Sequence, residues 1–407
     1  MLSDTPDADD LSALKALVRQ WGAEKVRPRL RELEDRGEFP RELYRQMGEL
    51  GLFSSCFTEE GSATGRGFQE LAEISEQVAW TYPPLSGAMN LQAATVPLTM
   101  ANWGSKEIVS RYIPGLITGE LIGCNAMTEP DGGSDLLGAM RTRAIRDGDH
   151  YVINGSKMWI TNANVADVAV IYAKTDPDAG HKGVSAFVMP MHSPGVAVTR
   201  IKCRGLGSLM PTNSITLDDV RVPAANMLGE EGQGFSVAMN AMDFGRLTVA
   251  ARSVGLAQAC LDASLAYANQ RMAFGQKIGE FQLVKKQLAD MTVEVAAARM
   301  LVKDAAVKYD SGQIATRDSS IAKYYGGEVC NRAAQATTDI FGGAAFSDEL
   351  PISIYLNFAK LYQNGEGSVN IQAGLIADDA LGTRPMNRHK LFLDRAGANS
   401  SAHSTSR

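Results

Sequence analysis

Two long helix-forming runs follow a block of short β-rich segments, and this change of texture restricts the chain to few architectures. ARSVGLAQACLDASLAYANQRMAF (251–274) and FQLVKKQLADMTVEVAAARMLVKDAAVKYDSG (281–312) are rich in Ala, Leu and Met, with Gly312 as a stop. Ahead of them, HYVINGSKMWIT, VADVAVIYAKT and GVSAFVMPM are separated by Gly, Asp and Pro, and VAVTRIK and SITLDDVRV continue the rhythm to Pro223. This block reads as a compact β-domain, a small barrel or sandwich. Toward the N-terminus Leu14, Leu17, Val18 and Trp21 recur at helical spacing, as do Leu43, Tyr44, Met47 and Leu50. Pro40 suits a first helical turn, Gly51 an end, and GSATGRG (61–67) a loop. The expectation is a mostly α chain with a central β-domain: helices over 1–121, β-structure over 122–235, helices over 236–385, and a polar, disordered tail over 386–407.

With 407 residues, 45% of them hydrophobic, the chain can bury a large core and form several domains. A net charge of −6 gives no electrostatic support for nucleic-acid binding. Cys56, Cys124, Cys203, Cys260 and Cys330 are scattered and odd in number, which argues against a disulfide framework and for free, buried thiols. Neither they nor the dispersed histidines stand at metal-ligand spacing, so no metal is expected. The acidic N-terminus lacks a signal core and an Arg-rich amphipathic pattern, and no apolar run would span a bilayer, so the expected location is cytoplasmic.

Four motifs then stand in order. Ala126-Met127-Thr128-Glu129-Pro130 with Gly133-Ser134-Asp135 resembles the first signature of the acyl-CoA dehydrogenase family. Gly155-Ser156-Lys157 with Trp159-Ile160-Thr161-Asn162 resembles that family's flavin-side strand. Arg271, Phe274-Gly275, Phe281-Gln282 and Leu288-Ala289-Asp290-Met291 resemble its helical signature, and Gly365-Glu366-Gly367-Ser368 the segment carrying its catalytic glutamate. The resemblance covers almost the whole chain. It implies an N-terminal helical domain, a middle β-domain and a C-terminal four-helix bundle, with FAD between the last two in a homodimer or homotetramer.

A thioester α-proton is weakly acidic, so its removal needs a base, oxyanion stabilisation and an electron acceptor. By resemblance Glu366 is the base, its backbone N–H donates to the thioester carbonyl, and the flavin takes the β-hydride. Burial by substrate and flavin should raise its carboxyl pKa. Some relatives place the base immediately before the residue matching Arg246; here that position is Gly245. Asp243 and Arg246 stand three apart on one helix face; by resemblance they approach the substrate arm and the catalytic carboxylate, with Arg246 part of the catalytic set, and Gly367 and Ser134 also touch the substrate. An ion pair within the helix is the competing reading of Asp243 and Arg246. Met127, Thr128, Gly133, Ser134, Trp159, Thr161, Ser368 and Asn370 are expected at the FAD. Arg271, Phe274, Gln282, Asp339, Gly342 and Gly343 would contact FAD bound mainly by a neighbouring subunit. Met239 and Met242 read as helix core rather than pocket wall.

Departures from the family pattern cluster before Glu366. Asp339 stands where relatives usually have Gln, Ala345 where they have Gly, Asn357-Phe358 where they tend to have Arg-Asp, and Ser353 where they often have Glu. Either a buried ion network has been replaced by neutral packing, or the pocket suits an unusual or carrier-bound thioester. Flavin monooxygenases on the same fold and a cofactor-poor partner subunit are the competing functions. The helix around Met89–Thr95 holds no Arg, unlike glutaryl-type relatives, which disfavours a distal carboxylate and points to a short, branched or cyclic acyl group. The resemblance to dehydrogenases rather than oxygen-using relatives implies an electron-transferring flavoprotein as electron acceptor, and no GxGxxG follows a strand, which leaves no obvious nicotinamide route.

Overall fold

A computed structural model describes residues 8–384 and 386, apart from 66 and 137. The expected tail beyond 386 lies outside the described residues. Seven helices come first: α1 (Ala8–Trp21), α2 (Leu30–Arg36), α3 (Arg41–Glu49), α4 (Phe68–Thr81), α5 (Pro83–Asn90), α6 (Val96–Trp103) and α7 (Lys106–Thr118). Val18, Leu43, Tyr44 and Met47 are fully buried, as their spacing requires, whereas Leu17 faces solvent. Ser105 caps α7 through its Oγ, which accepts from the Ile108 N–H. At α4 the cap comes from far along the chain: the Asp310 carboxylate accepts from the Phe68 and Gln69 N–H groups at 2.8 and 3.1 Å.

The strands are β1 (Gly123–Ala126), β2 (Arg143–Asp147), β3 (His150–Thr161), β4 (Val168–Lys174), β5 (Val184–Pro190), β6 (Val196–Ile201), β7 (Thr212–Pro223) and β8 (Met227–Leu228). They form one sheet in the order β6-β7-β3-β2-β4-β5-β8, with β1 parallel to β4. β4 and β5 lack polar alternation because both faces are covered. Ala169, Ile171, Phe187 and Met189 fill the sheet's own core, and Val168, Val170, Tyr172, Ala186 and Val188 join the helical core. That shared face fixes the β-block against the helices.

α8 (Gly234–Gln270) follows, then the hairpin β9 (Met272–Ala273) and β10 (Gln276–Lys277), α9 (Gln282–Asp310), α10 (Thr316–Phe341), α11 (Ile352–Asn364) and α12 (Val369–Ala380). The helical run read through residue 274 stops at Gln270 instead. Phe274 and Gly275 both take positive φ, 52° and 80°, and turn the chain into the hairpin. α8 is buried on every side around residues 243–257 and packs against α9, α10 and α11, while α12 packs on α10. The segment with Asn357-Phe358 is neutral: Phe358 is fully buried and meets the Tyr362 ring edge-on at 5.8 Å, and Asn357 bonds the Ser353 carbonyl. No described helix is long and apolar enough to cross a membrane.

Candidate active site

α11 ends at Asn364, and the chain reverses into α12 through Gly365, Glu366 and Gly367. Glu366 and Gly367 both lie in the left-handed region, at φ 55° and 85°. Glycine adopts that conformation freely; glutamate does so at a cost, which marks the turn as held by its surroundings. Lys323 of α10, fully buried, holds it by donating to the Gln363 and Gly367 carbonyls at 2.9 and 2.5 Å. Ser368 closes the turn by accepting the Ile371 N–H, and Gln372 donates back toward the Glu366 carbonyl at 3.4 Å. Among the described residues no acceptor takes the Glu366 N–H, leaving that donor free for a ligand.

The Glu366 carboxylate rests on α8 above Gly245. A Cβ added at Gly245 would stand 2.5 Å from both Cδ and Oε2 of Glu366, so the glycine makes the space the carboxylate occupies. Burial raises the Glu366 pKa above the ordinary glutamate value, opposed by the positive charges of Arg252, Arg246 and Lys323, in that order. Although residue 366 as a whole is half-buried, its carboxyl is the enclosed part. Asp243 and Arg246 form the ion pair that was the competing reading, Nη1 to Oδ1 at 2.7 Å with both side chains buried, and Thr316 donates to the other Asp243 oxygen. Arg246 Nε is buried with no partner among the described residues. Met242, half-buried, has its methyl 3.9 Å from where a Cβ on Gly367 would lie, so it walls the turn as well as packing α8.

Met127, Thr128, Trp159 and Thr161 gather on the β-block. The Met158 N–H bonds the Thr128 carbonyl, joining the residues after β1 to β3. Lys157 and Glu129 lock that junction as a buried ion pair at 2.8 Å, and Lys157 also reaches the Met127 carbonyl. Burial alone would raise the Glu129 pKa, but Lys157 and the Thr142 and Arg141 N–H groups hold it below the ordinary range. Trp159 takes φ 63°, an outlier for a bulky residue, and leaves its ring 52% exposed between half-buried Met158 and buried Ile160. Gly133 and Ser134 are exposed in the loop after β1, and Asn370 on α12.

Arg271, Phe274 and Gln282 stand at the far end of α8 and the start of α9. Stacking of Tyr267 on Phe341, centroids 4.2 Å apart, brings the end of α10, with Asp339, Gly342 and Gly343, to the same place. All six are exposed, Phe274 by 96%, and Arg271 has no ion-pair or side-chain hydrogen-bond partner among the described residues. From Gly245 to Arg271 is 26 residues of α8, about 39 Å of helix. The structure therefore does not bring this cluster to the Glu366 site within one chain; the separation exceeds the reach of one extended dinucleotide. Exposed Trp159 and half-buried Thr128 and Thr161, carried on the same β-block, offer an aromatic face and hydroxyls of the kind an isoalloxazine would meet, and the Arg271 guanidinium fits a pyrophosphate.

Sequence comparison assigns the lineage. Residues 8–120 match the acyl-CoA dehydrogenase N-terminal domain, 124–220 the middle domain and 232–381 the C-terminal domain. The chain belongs to the acyl-CoA dehydrogenase family. It is 38% identical to a glutaryl-CoA dehydrogenase of Desulfococcus multivorans over 93% of this chain and 98% of that one. The solved glutaryl-coenzyme A dehydrogenase–glutaryl-CoA complex superposes with a TM-score of 0.90 at 37% identity, covering 94% and 98% of the two chains. A Mycobacterium smegmatis glutaryl-CoA dehydrogenase in complex with FADH2 gives 0.86 at 27%, covering 92% and 95%. Family members are FAD flavoproteins, and this chain is an oxidoreductase of that family.

Sequence reasoning assigned no role to Lys323, Arg252 or the Glu129–Lys157 pair. Glu129 and Lys157 lay inside recognised motifs, which was a usable signal. For Arg252 the signal was a charge amid Ala250-Ala251-Ser253-Val254-Gly255, where a helix this apolar has no solvated face. Nothing local singled out Lys323.

Proposed function

We propose that the protein removes the α-proton and β-hydride of an acyl-CoA thioester, with Glu366 as the base. The observation that carries this reading is the Glu366 carboxylate seated over a glycine of α8, on a strained turn whose own N–H has no acceptor among the described residues. A thioester lying against that turn would present its carbonyl oxygen to the Glu366 N–H and its α-carbon to the carboxylate. The N–H stabilises the enolate oxygen as charge develops. The raised carboxyl pKa brings proton affinity closer to what the reaction needs, while the positive charges of Arg252, Arg246 and Lys323 oppose the rise. Bound FAD would accept the β-hydrogen with its electron pair. Thr128, Thr161 and Trp159 would hold the ring, and Ser134, Asp243 and Arg246 the thioester arm.

The ~39 Å separation along α8 supports an assembly of at least two copies, in which Arg271, Gln282 and Gly342-Gly343 of one reach the FAD of another. Exposed Phe274, Leu283 and Phe346 give such a contact apolar area. Reduced flavin would pass its electrons to an electron-transferring flavoprotein. Anaerobic mixing of the FAD-loaded protein with a panel of acyl-CoAs should bleach the flavin and yield the 2-enoyl thioester. Flavin that no acyl-CoA reduces, or hydrogen peroxide released in step with turnover in air, would contradict the reading.

A further inference from the structure

Arg252 stands seven residues beyond Gly245 on α8, two turns along the same helix face, ~10 Å away along the axis. Its side chain leans back toward that site, as helical side chains do, donating Nε to the Thr248 carbonyl at 3.2 Å. It is only 5% exposed, yet has no carboxylate within ion-pair distance and no other hydrogen bond among the described residues. The Tyr362 ring lies 5.3 Å from the guanidinium, Nη1 is 3.8 Å from where a Cβ on Gly87 would stand, and Glu366 acts on the group electrostatically. The guanidinium also feels Tyr44 electrostatically. Burial accordingly pushes the guanidinium's pKa down. A buried cation whose outer donors find no partner is costly, and a fold retains one where a ligand supplies the missing charge.

The neighbours are polar too. The Tyr362 hydroxyl pairs with Ser86 Oγ at 2.8 Å, and Thr248 bonds Asn90, which bonds Thr95 at 3.2 Å. Ser86 and Asn90 come from α5, Thr95 from the turn after it and Tyr362 from α11, all against α8, which carries Thr248. We propose that Arg252 is a specificity residue that binds an anionic group at the far end of the acyl chain, making the substrate the monothioester of a short dicarboxylic acid. This deepens the dehydrogenase reading and rests on it. It also revises the expectation drawn from Met89–Thr95: that segment brings no arginine, but the helix facing it does. The α-carbon lies at Glu366, and the guanidinium is about one turn further along α8, a gap of a few carbons.

The test compares glutaryl-CoA with pentanoyl-CoA, equal in length and differing in the distal carboxylate, on FAD-loaded wild type, Arg252→Met and Arg252→Lys. Flavin reduction is followed anaerobically, and binding is measured by calorimetry. Wild type should favour glutaryl-CoA in kcat/KM by on the order of a hundredfold. Arg252→Met should erase the preference, and Arg252→Lys keep part of it. Equal or better use of pentanoyl-CoA by wild type overturns the proposal and needs no variant to fold. So does an equal slowing of both substrates in Arg252→Met with a shifted pH profile, because the arginine would then act only through Glu366. If neither thioester reduces the flavin, the dehydrogenase reading stands or falls with the wider acyl-CoA panel, and binding decides Arg252. Tighter glutaryl-CoA binding that is lost in Arg252→Met supports it, and equal binding overturns it.

Discussion

Gly245→Ala tests the seat of the carboxylate with one methyl group. The added Cβ would lie 2.5 Å from Cδ and Oε2 of Glu366, whereas ordinary contact between such atoms begins near ~3.5 Å. The carboxylate, at the end of a flexible side chain, must therefore retreat by about 1 Å. A misplacement of that size can cost on the order of a hundredfold in rate when geometry is set for attack. Stability should move the other way, because alanine in a helix interior is favoured over glycine by ~1 kcal/mol. The assay is stopped-flow flavin reduction by a saturating thioester, with FAD content and Tm on the same preparation. The expected result is a rate loss near a hundredfold with full FAD and an unchanged or higher Tm. An unchanged rate would refute the placement of Glu366 over Gly245, and a lower Tm would refute the claim that only the carboxylate must yield.

Three further outcomes follow from the same geometry. Gly245→Glu combined with Glu366→Gly should recover part of the flavin reduction that Glu366→Gly alone loses, since the vacated space admits a carboxylate from α8; recovery absent from rapid-mixing traces would contradict this. Arg271→Ala should release FAD while gel filtration shows a folded protein, and a stable monomer that retains stoichiometric FAD would contradict the cross-subunit reading. Lys323→Met should lower Tm, leaving the Gln363 and Gly367 carbonyls without their donor. It should also move the acidic limb of the rate profile to higher pH, because loss of a nearby cation raises the Glu366 pKa. Burial lowers the Lys323 pKa from 10.5 to about 8, so between those values the unfolded chain binds the extra proton and wild-type stability gains with rising pH. That gain should be missing in Lys323→Met, which Tm measured across the window would show.

The helix–β–helix plan was legible because periodicity reports which faces are buried, and the flavin-side and glutamate segments were legible as motifs. What escaped depended on partners distant in sequence. Asp310 caps a helix that starts 242 residues earlier, and Lys323 acts on carbonyls 40 and 44 residues away. The end of α8 was misread because Arg271-Met272-Ala273 suits a helix, and the positive φ of Phe274 is a tertiary demand that no propensity reveals. Asp243 and Arg246 were placed on one face correctly, but spacing could not tell a pair that satisfies itself from one that meets substrate. Their short contact and the unpaired Arg246 Nε allow both. At the Asn357-Phe358 departure, Phe358 packs against Tyr362, the ring beside Arg252, while Asn357 is exposed.

Glu366→Gln addresses the central claim most directly, since it keeps the side chain's size and hydrogen bonding but cannot take the α-proton. Because burial raises the carboxyl pKa, the ionised group costs stability at neutral pH, so the variant should be at least as stable as wild type. General-base catalysis contributes about a hundred- to ten-thousand-fold, and anaerobic flavin reduction by a thioester should fall by at least that much with FAD content and thioester binding intact. Wild-type flavin reduction in Glu366→Gln with FAD fully bound would remove Glu366 from the chemistry and contradict the account.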